Sequence, residues 1–369
     1  MNDAQALQLL EDLVAIPSVS TQERDAVEFL CSRMNALGFE TNIDAVGNAV
    51  GTIGSHGPRI VLLGHIDTIP GEVPVRRQDG KLYGRGAVDA KGSLCAFVAS
   101  AARAAHAGTL NARVEVVGCV EEEATSSKGA RHRATLEAPD AAIIGEPSHW
   151  DAVTLGYKGF LQTRCSFTET LAHTASDRTS ASAQACHAFV ALERDVGRYN
   201  ATKDNLYDSL LIHLDGLSSE NDGRIEHAHL DLKLRLPDDL PPADAESWLR
   251  ERIPTSWVRC GGGIPAWSGP RTAQLPRLLA RSIAKTGGRA RFQRKTGTAD
   301  LNIVAPAWGC PALAYGPGDS AMDHTPDEYI AIDEFERGVA VLTSLLGQEA
   351  LGKRAVECSA PAVKVARQP

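Results

Sequence analysis

The amino-acid sequence predicts an α/β fold: a domain with a mostly parallel sheet flanked by helices, interrupted by a smaller α+β domain. Three observations carry this expectation. Short apolar runs at 60–64, 114–120 and 141–144 read as strands buried on both faces. An Ala-rich helical segment, 91–107, lies between the first two, so strands alternate with helices. After Gly156 the pattern becomes an alternation of apolar and polar residues, at 159–167 and 228–236, as half-buried strands require.

Residues 4–16 carry Leu7, Leu10, Leu13 and Val14 at helical spacing, and Pro17 ends that helix. Ser20-Thr21-Gln22-Glu23 has the form of a capping box. It opens a helix bearing Val27, Leu30, Met34 and Leu37, which Gly38 stops. Helices at 180–196 and 244–252 accompany the alternating strands. Residues 265–274, rich in Pro and Gly, make a return linker, and helical character resumes at Leu275, Leu278, Leu279 and Ile283. The expected domains are therefore 1–156, 157–269 and 270–349, followed by a disordered tail at 350–369.

A chain of 369 residues has a soft prior of two domains. Its 43% hydrophobic and 23% charged residues are ordinary for a soluble globular protein. A net charge of −8 without a Lys/Arg-rich block argues against nucleic acid as a partner. Met1-Asn2-Asp3-Ala4-Gln5 lacks the basic and apolar regions of a signal peptide, and no apolar run approaches the length of a membrane span. The eight Cys are scattered without a C-x-x-C pair, which suits reduced, buried thiols. The expected location is the cytoplasm, away from membranes.

Where the acids and histidines fall points to chemistry. The first run is followed at once by His65-Ile66-Asp67, the second by Glu121-Glu122-Glu123 and the third by Gly145-Glu146-Pro147. Ligands of open α/β sheets bind outside the carboxyl ends of strands, so three strands deliver His or Glu to one edge. Asp89 stands in a Gly-rich turn, 84–92, ahead of a helix, where it is either a fourth site acid or a plain N-cap. His and carboxylate donors without thiolates suit zinc or cobalt in an open catalytic site. A carboxylate can bridge two such ions. Asp67, two residues beyond His65, can fix the imidazole tautomer. Neighbouring Glu residues can divide two jobs, one binding metal while the other takes a proton from an activated water.

These motifs, in this order, resemble the co-catalytic zinc aminoacylase and carboxypeptidase family. Gly64-His65-Ile66-Asp67-Thr68-Ile69-Pro70 is similar to its first signature, and Leu82-Tyr83-Gly84-Arg85-Gly86-Ala87-Val88-Asp89-Ala90-Lys91-Gly92 to its second. The resemblance runs from about residue 5 to 345, and it implies a catalytic α/β domain with a dimerising lid. It further implies that His65 and Glu146 hold one divalent metal, Asp89 bridges, and Glu123 and His324 hold a second. Zinc is the implied metal, with cobalt as an alternative. Glu122 becomes the general base and Asp67 the orienter of His65. Three Glu stand where the family has two such acids, so Glu121 with Glu122 is the alternative pair. His173, in Ala172-His173-Thr174, matches the segment whose His stabilises the tetrahedral oxyanion, often across a homodimer. Arg235, Gly297 and Thr298 fall where relatives bind substrate.

A closer resemblance is to hydrolases of lysine biosynthesis. It rests on Ser126-Ser127-Lys128-Gly129-Ala130-Arg131, Leu155-Gly156-Tyr157-Lys158-Gly159, Lys295-Thr296-Gly297-Thr298-Ala299-Asp300 and Tyr315-Gly316-Pro317-Gly318-Asp319-Ser320. Those enzymes release lysine or ornithine from an acidic amino-group carrier protein, or deacetylate N-acetyl-lysine. The implied substrate is a small N-acyl amino acid or such a carrier. The alternatives are a deacetylase of acetylornithine or acetylcitrulline, a dipeptidase, or a metal- or carrier-binding protein without catalysis.

Overall fold

The computed structural model describes residues 1–253 and 257–351. The expected tail at 350–369 therefore lies, from residue 352 onward, outside the described residues. The chain divides into two units: Met1–Leu155 with Gly269–Gln293 and Ile303–Pro369, and Gly156–Ser268 with Arg294–Asn302.

The first unit is built on a mixed sheet in which Arg59–His65 runs parallel to Arg113–Cys119 on one side and to Ala141–Gly145 on the other. Ala312–Ala314 extends the parallel set beyond Ala141–Gly145. Ala49–Ile53 and Glu40–Ile43 continue it antiparallel at the other edge. Six of the seven residues of Arg59–His65 are buried, as in a parallel strand covered on both faces.

A row of glycines crosses the sheet just before the site. Gly64 is in register with Gly118 and with Gly145. A Cβ at Gly145 would stand 2.8 Å from the Phe97 ring, and one at Gly64 3.4 Å from Leu94 Cβ. Glycine thus lets the Ala-rich helix Lys91–His106 lie close against the strands. That helix is buried from Lys91 through Ala102. Its Lys91 ammonium donates to the carbonyls of Leu13 and Ile16, at 3.1 and 2.8 Å, satisfying the end of the first helix, Asp3–Val14. The first helix, Lys91–His106 and Ile332–Leu346 share one hydrophobic core.

The second unit is a four-stranded antiparallel sheet in the order Leu211–Asn221, Ile225–Leu236, Gly159–Thr170 and Trp257–Ile264. Ala228, Leu230, Leu232, Leu234 and Leu236 face a core closed by helices Ala181–Asn200 and Pro242–Arg252. The alternation that predicted Ile225–Leu236 is that inward face. Arg294–Asn302 falls in this unit, whereas the sequence reading placed it within 270–349. Its Asn302 amide donates to the carbonyls of Tyr157, Lys158 and Pro265, at 3.2, 3.2 and 3.0 Å. Among the described residues no helix is long and apolar enough to cross a membrane.

Candidate metal centre

Three strand ends converge at one edge of the first unit's sheet. His65 closes its strand, Arg113–Cys119 leads into Glu121-Glu122-Glu123, and Ala141–Gly145 leads into Glu146. Asp89 arrives from the Gly84–Lys91 turn and His324 from the loop after a short 3₁₀ turn, Ser320–Met322. Asp89 is not an N-cap: Ala90 occupies that position and no side chain caps the helix.

The carboxylate of Asp89 lies between two imidazoles. His65 Nε2 is 3.1 Å from Oδ1, and His324 Nε2 is 3.1 Å from Oδ2. His324 Nε2 is also 2.9 Å from Glu123 Oε1. Donor atoms of His65, Asp89 and Glu123 all lie within 4.8 Å of one another. Glu146, half-buried, follows its strand at the same edge but is not part of that trio. One oxygen of Asp89 for each histidine is the arrangement a carboxylate needs to bridge two cations.

The electrostatics fit the same group. Among the described residues Asp89 and Glu123 meet no Lys or Arg; the only cations facing them are the imidazoles. Hydrogen bonds to Asp89 and Glu123 push His324 up to about 10. Burial alone pushes His65 down, but bonds to Asp67 and Asp89 and the charge of Glu122 hold it well above its ordinary value. Burial raises the Asp89 carboxyl, and the bonds to His324 and His65 override that and hold it below its usual range. Without metal the site therefore stores protons between its carboxylates. These oxygen and nitrogen donors suit divalent cations, which would take the place of those protons.

Buried carboxylates hold the ligand loops by their backbone N–H groups. Asp67, fully buried, accepts from Glu122 and Glu123 N–H at 3.0 Å each and from the Ser20 hydroxyl at 2.7 Å. Its backbone carbonyl is 3.0 Å from His65 Nδ1, and its Oδ1 is 3.5 Å from the same nitrogen. Glu23 accepts from Thr21 and Glu121 N–H. The expected capping box is thus absent: helix Arg24–Ala36 has no side-chain cap, because Ser20 and Glu23 serve the site instead. The Glu121 carboxylate is engaged by Ser126 and Lys128.

Glu328 was not anticipated from the sequence. It is 1% exposed and accepts from Val88 and Asp89 N–H, at 3.1 and 3.3 Å, while its other oxygen takes Arg85 at 2.7 Å. It stands four residues after His324, so one loop grips Asp89 at both backbone and carboxylate. Glu328→Ala is expected to weaken zinc binding about 10–100-fold, as loss of a group supporting a ligand does. Glu328→Gln, which keeps an oxygen for the two N–H groups, should lose less. Titration of metal-free protein against a chromophoric chelator measures both; equal affinities in all three proteins would show that the turn is held otherwise.

The remaining expected residues belong to the second unit. His173 is exposed in the segment after Gly159–Thr170, its Nδ1 accepting from Ala175 N–H at 3.2 Å. Arg235 donates to Thr298 Oγ1 at 3.0 Å, and that hydroxyl donates to the Lys158 carbonyl at 2.8 Å. Gly297 precedes Thr298 in the same segment.

A largely parallel sheet presenting His and carboxylate donors at its carboxyl edge defines a metal-dependent hydrolase. The chain belongs to the peptidase family M20/M25/M40, whose model matches residues 61–348. It is 41% identical over 355 residues to the LysW-lysine hydrolase of Deinococcus radiodurans, spanning 93% of this chain and 97% of that one. It is 35% identical over 352 residues to a putative LysW-lysine/LysW-ornithine hydrolase of Thermococcus kodakarensis, spanning 94% and 92%. In fold it is similar to the M20 family metallo-carboxypeptidase Sso-CP2 of Sulfolobus solfataricus, with a TM-score of 0.79 at 17% identity over 95% of this chain and 100% of that one. Human carnosine dipeptidase 1 shares the fold at a TM-score of 0.69 and 15% identity, over 95% and 97% of the two chains.

Proposed function

We propose that this protein hydrolyses the amide that joins lysine or ornithine to an amino-group carrier protein, as a cytoplasmic step of lysine or arginine biosynthesis. The observation that carries the reading is the Asp89 carboxylate shared between His65 and His324, beside Glu123. The relatives' names supply the linked amino acid. The named bond is one that a hydrolase of linear amides cleaves.

His65 and Glu146 would hold one divalent ion and Glu123 with His324 a second, with Asp89 shared between them; zinc is the expected occupant and cobalt an alternative. When bound, the ions polarise the scissile carbonyl and bring the pKa of water to about 7. Glu122 takes the proton of the attacking water at a carboxylate oxygen and returns it to the leaving amine. Its backbone is fixed by Asp67, and its charge already acts on His65. Asp67 keeps the His65 imidazole in one tautomer. By the family resemblance, His173 steadies the oxyanion within a homodimer, and Arg235 takes the substrate carboxylate beside Gly297 and Thr298.

Metal content of the purified protein, with hydrolysis of LysW-lysine and N-acetyl-lysine before and after chelation, tests the reading. The expected result is about two ions per chain, activity lost to chelator and restored by zinc or cobalt. A protein that takes up no zinc and cleaves neither substrate would sink it. Turnover of acetylornithine, acetylcitrulline or dipeptides in preference to LysW-lysine would move the substrate assignment within the same chemistry.

A further inference from the structure

Two of the loops at the candidate metal centre lie far apart in the chain but side by side in space. Residues 146–150 follow strand Ala141–Gly145. Residues 316–324 follow strand Ala312–Ala314 and contain the short turn Ser320–Met322. The two strands are parallel neighbours, so both loops leave the same edge. Backbone bonds join them. Ser148 N–H donates to the Gly316 carbonyl at 2.9 Å, and His149 N–H to the Gly318 carbonyl at 2.8 Å.

Loops at a sheet edge must still place their backbone N–H groups. Here one carboxylate, outside both loops, takes them from each. Glu334 stands in the first turn of helix Ile332–Leu346. Its Oε1 accepts from Trp150 N–H at 3.0 Å and from Gly318 N–H at 3.3 Å, and it lies 3.1 Å from His149 Nδ1. The other nitrogen of that imidazole is 3.6 Å from Asp319 Oδ1. Asp319 in turn caps the Ser320–Met322 turn, accepting from Ala321 N–H at 2.9 Å. A continuous set of contacts therefore leads from the loop of Glu146, through His149 and Asp319, to the turn that delivers His324.

The surroundings hold this bridge in place. The Trp150 carbonyl accepts from the buried Tyr315 hydroxyl at 2.7 Å, and Arg337, one turn beyond Glu334, covers the Trp150 ring at 4.9 Å. Gly318 has φ 112°, and a side chain there would run into Val88, the residue before Asp89. His149 is left-handed at φ 68°, a conformation that an ordinary residue adopts only with support from its surroundings. The needs of the helix do not explain Glu334. An acid in the first turn is favourable, but the exposed Asp333 already supplies one.

We infer that Glu334 is a positioning residue for both metal ions: through His149, Trp150 and Gly318 it sets the two loops that aim Glu146 and His324. The inference rests on the proposed function, which gives those two ligands to different ions, and it adds a group outside the ligand set. Glu328 holds the Asp89 turn by its N–H groups in the same manner.

The test compares metal-free wild type with Glu334→Ala, Glu334→Gln and His149→Asn, the last chosen because Asn tolerates a left-handed backbone. Zinc affinity is titrated against a chromophoric chelator, and the visible absorption of the cobalt-loaded protein reports ligand geometry. Glu334→Ala should weaken zinc about 10–100-fold, as loss of a group supporting a ligand does, and should alter the cobalt spectrum. Glu334→Gln keeps an oxygen for the three donors and should stay close to wild type on both readouts. His149→Asn should fall between, and it carries the test if Glu334→Ala does not fold. Affinity and spectrum equal to wild type in Glu334→Ala, or in His149→Asn where that variant stands in, overturn the inference, even with a lowered Tm. A Gln variant as weak as the Ala variant also overturns it, since the charge rather than the bonds would then matter. In both cases a wild type that binds two ions leaves the proposed function standing. A wild type that takes up neither zinc nor cobalt removes that reading, and this inference with it.

Discussion

Glu122→Ala is expected to lower kcat by about 10²–10⁴-fold, the ordinary contribution of a positioned general base, while metal content stays at the wild-type level. The expectation follows from how the acidic loop is built. Asp67 takes the N–H groups of Glu122 and Glu123 on separate oxygens, which fixes the two residues as a unit. Glu123 then reaches His324 at 2.9 Å and joins the donor trio with His65 and Asp89. Glu122 is not in that trio, and the proposed function gives it the proton transfer. Glu121 differs from both. Its backbone is left-handed at φ 59° and its carboxylate is bonded to Ser126 and Lys128. Glu121→Ala should therefore keep most of the activity. The decisive comparison is kcat and metal stoichiometry for both variants side by side. If Glu121→Ala is inactive with metal retained and Glu122→Ala loses metal, the base and the ligand both shift back by one residue.

What the sequence made legible has a physical pattern. Buried parallel strands are continuous apolar runs, so a His or Glu directly after such a run is conspicuous, and His65, Glu123 and Glu146 could be picked out that way. Arg59–His65, Arg113–Cys119 and Ala141–Gly145 match the expected runs within a residue or two. Leu211–Asn221 was not legible, because this edge strand has no fully buried residue and its alternation is confined to Ile212 and Leu214, which are only half-buried against the core. Glu328 and Glu23 were hidden for another reason. They act by accepting backbone N–H groups, which every residue type supplies, so their partners leave no trace in the sequence. Ser20 and Glu23 even carried a competing signal, the capping-box spacing, but Asp67 and the Glu121 N–H claim them.

Asp89→Asn is expected to be the most damaging single-atom change in the protein, costing on the order of 10³-fold or more in kcat/KM, since a factor of ten is only about 1.36 kcal/mol of charge stabilisation and a metal supplies several. The carboxylate faces His65 with one oxygen and His324 with the other. An amide offers an acceptor to one side alone and turns an N–H₂ toward the other, so it cannot bridge. Metal content should fall from about two ions toward one. The metal-free protein gives an independent readout. There Asp89 and Glu123 push His324 up to about 10, against an ordinary value of 6.5. A histidine raised in this way stabilises the fold fully below the unfolded value and ceases to do so as pH rises through the folded one. Metal-free Asp89→Asn should therefore melt below wild type near pH 6, and the gap should close as pH approaches 10. An Asn variant that binds two ions as tightly as wild type would show that Asp89 does not bridge. A gap in melting temperature that is the same at both pH values would show that the substitution disturbs packing rather than the shared proton.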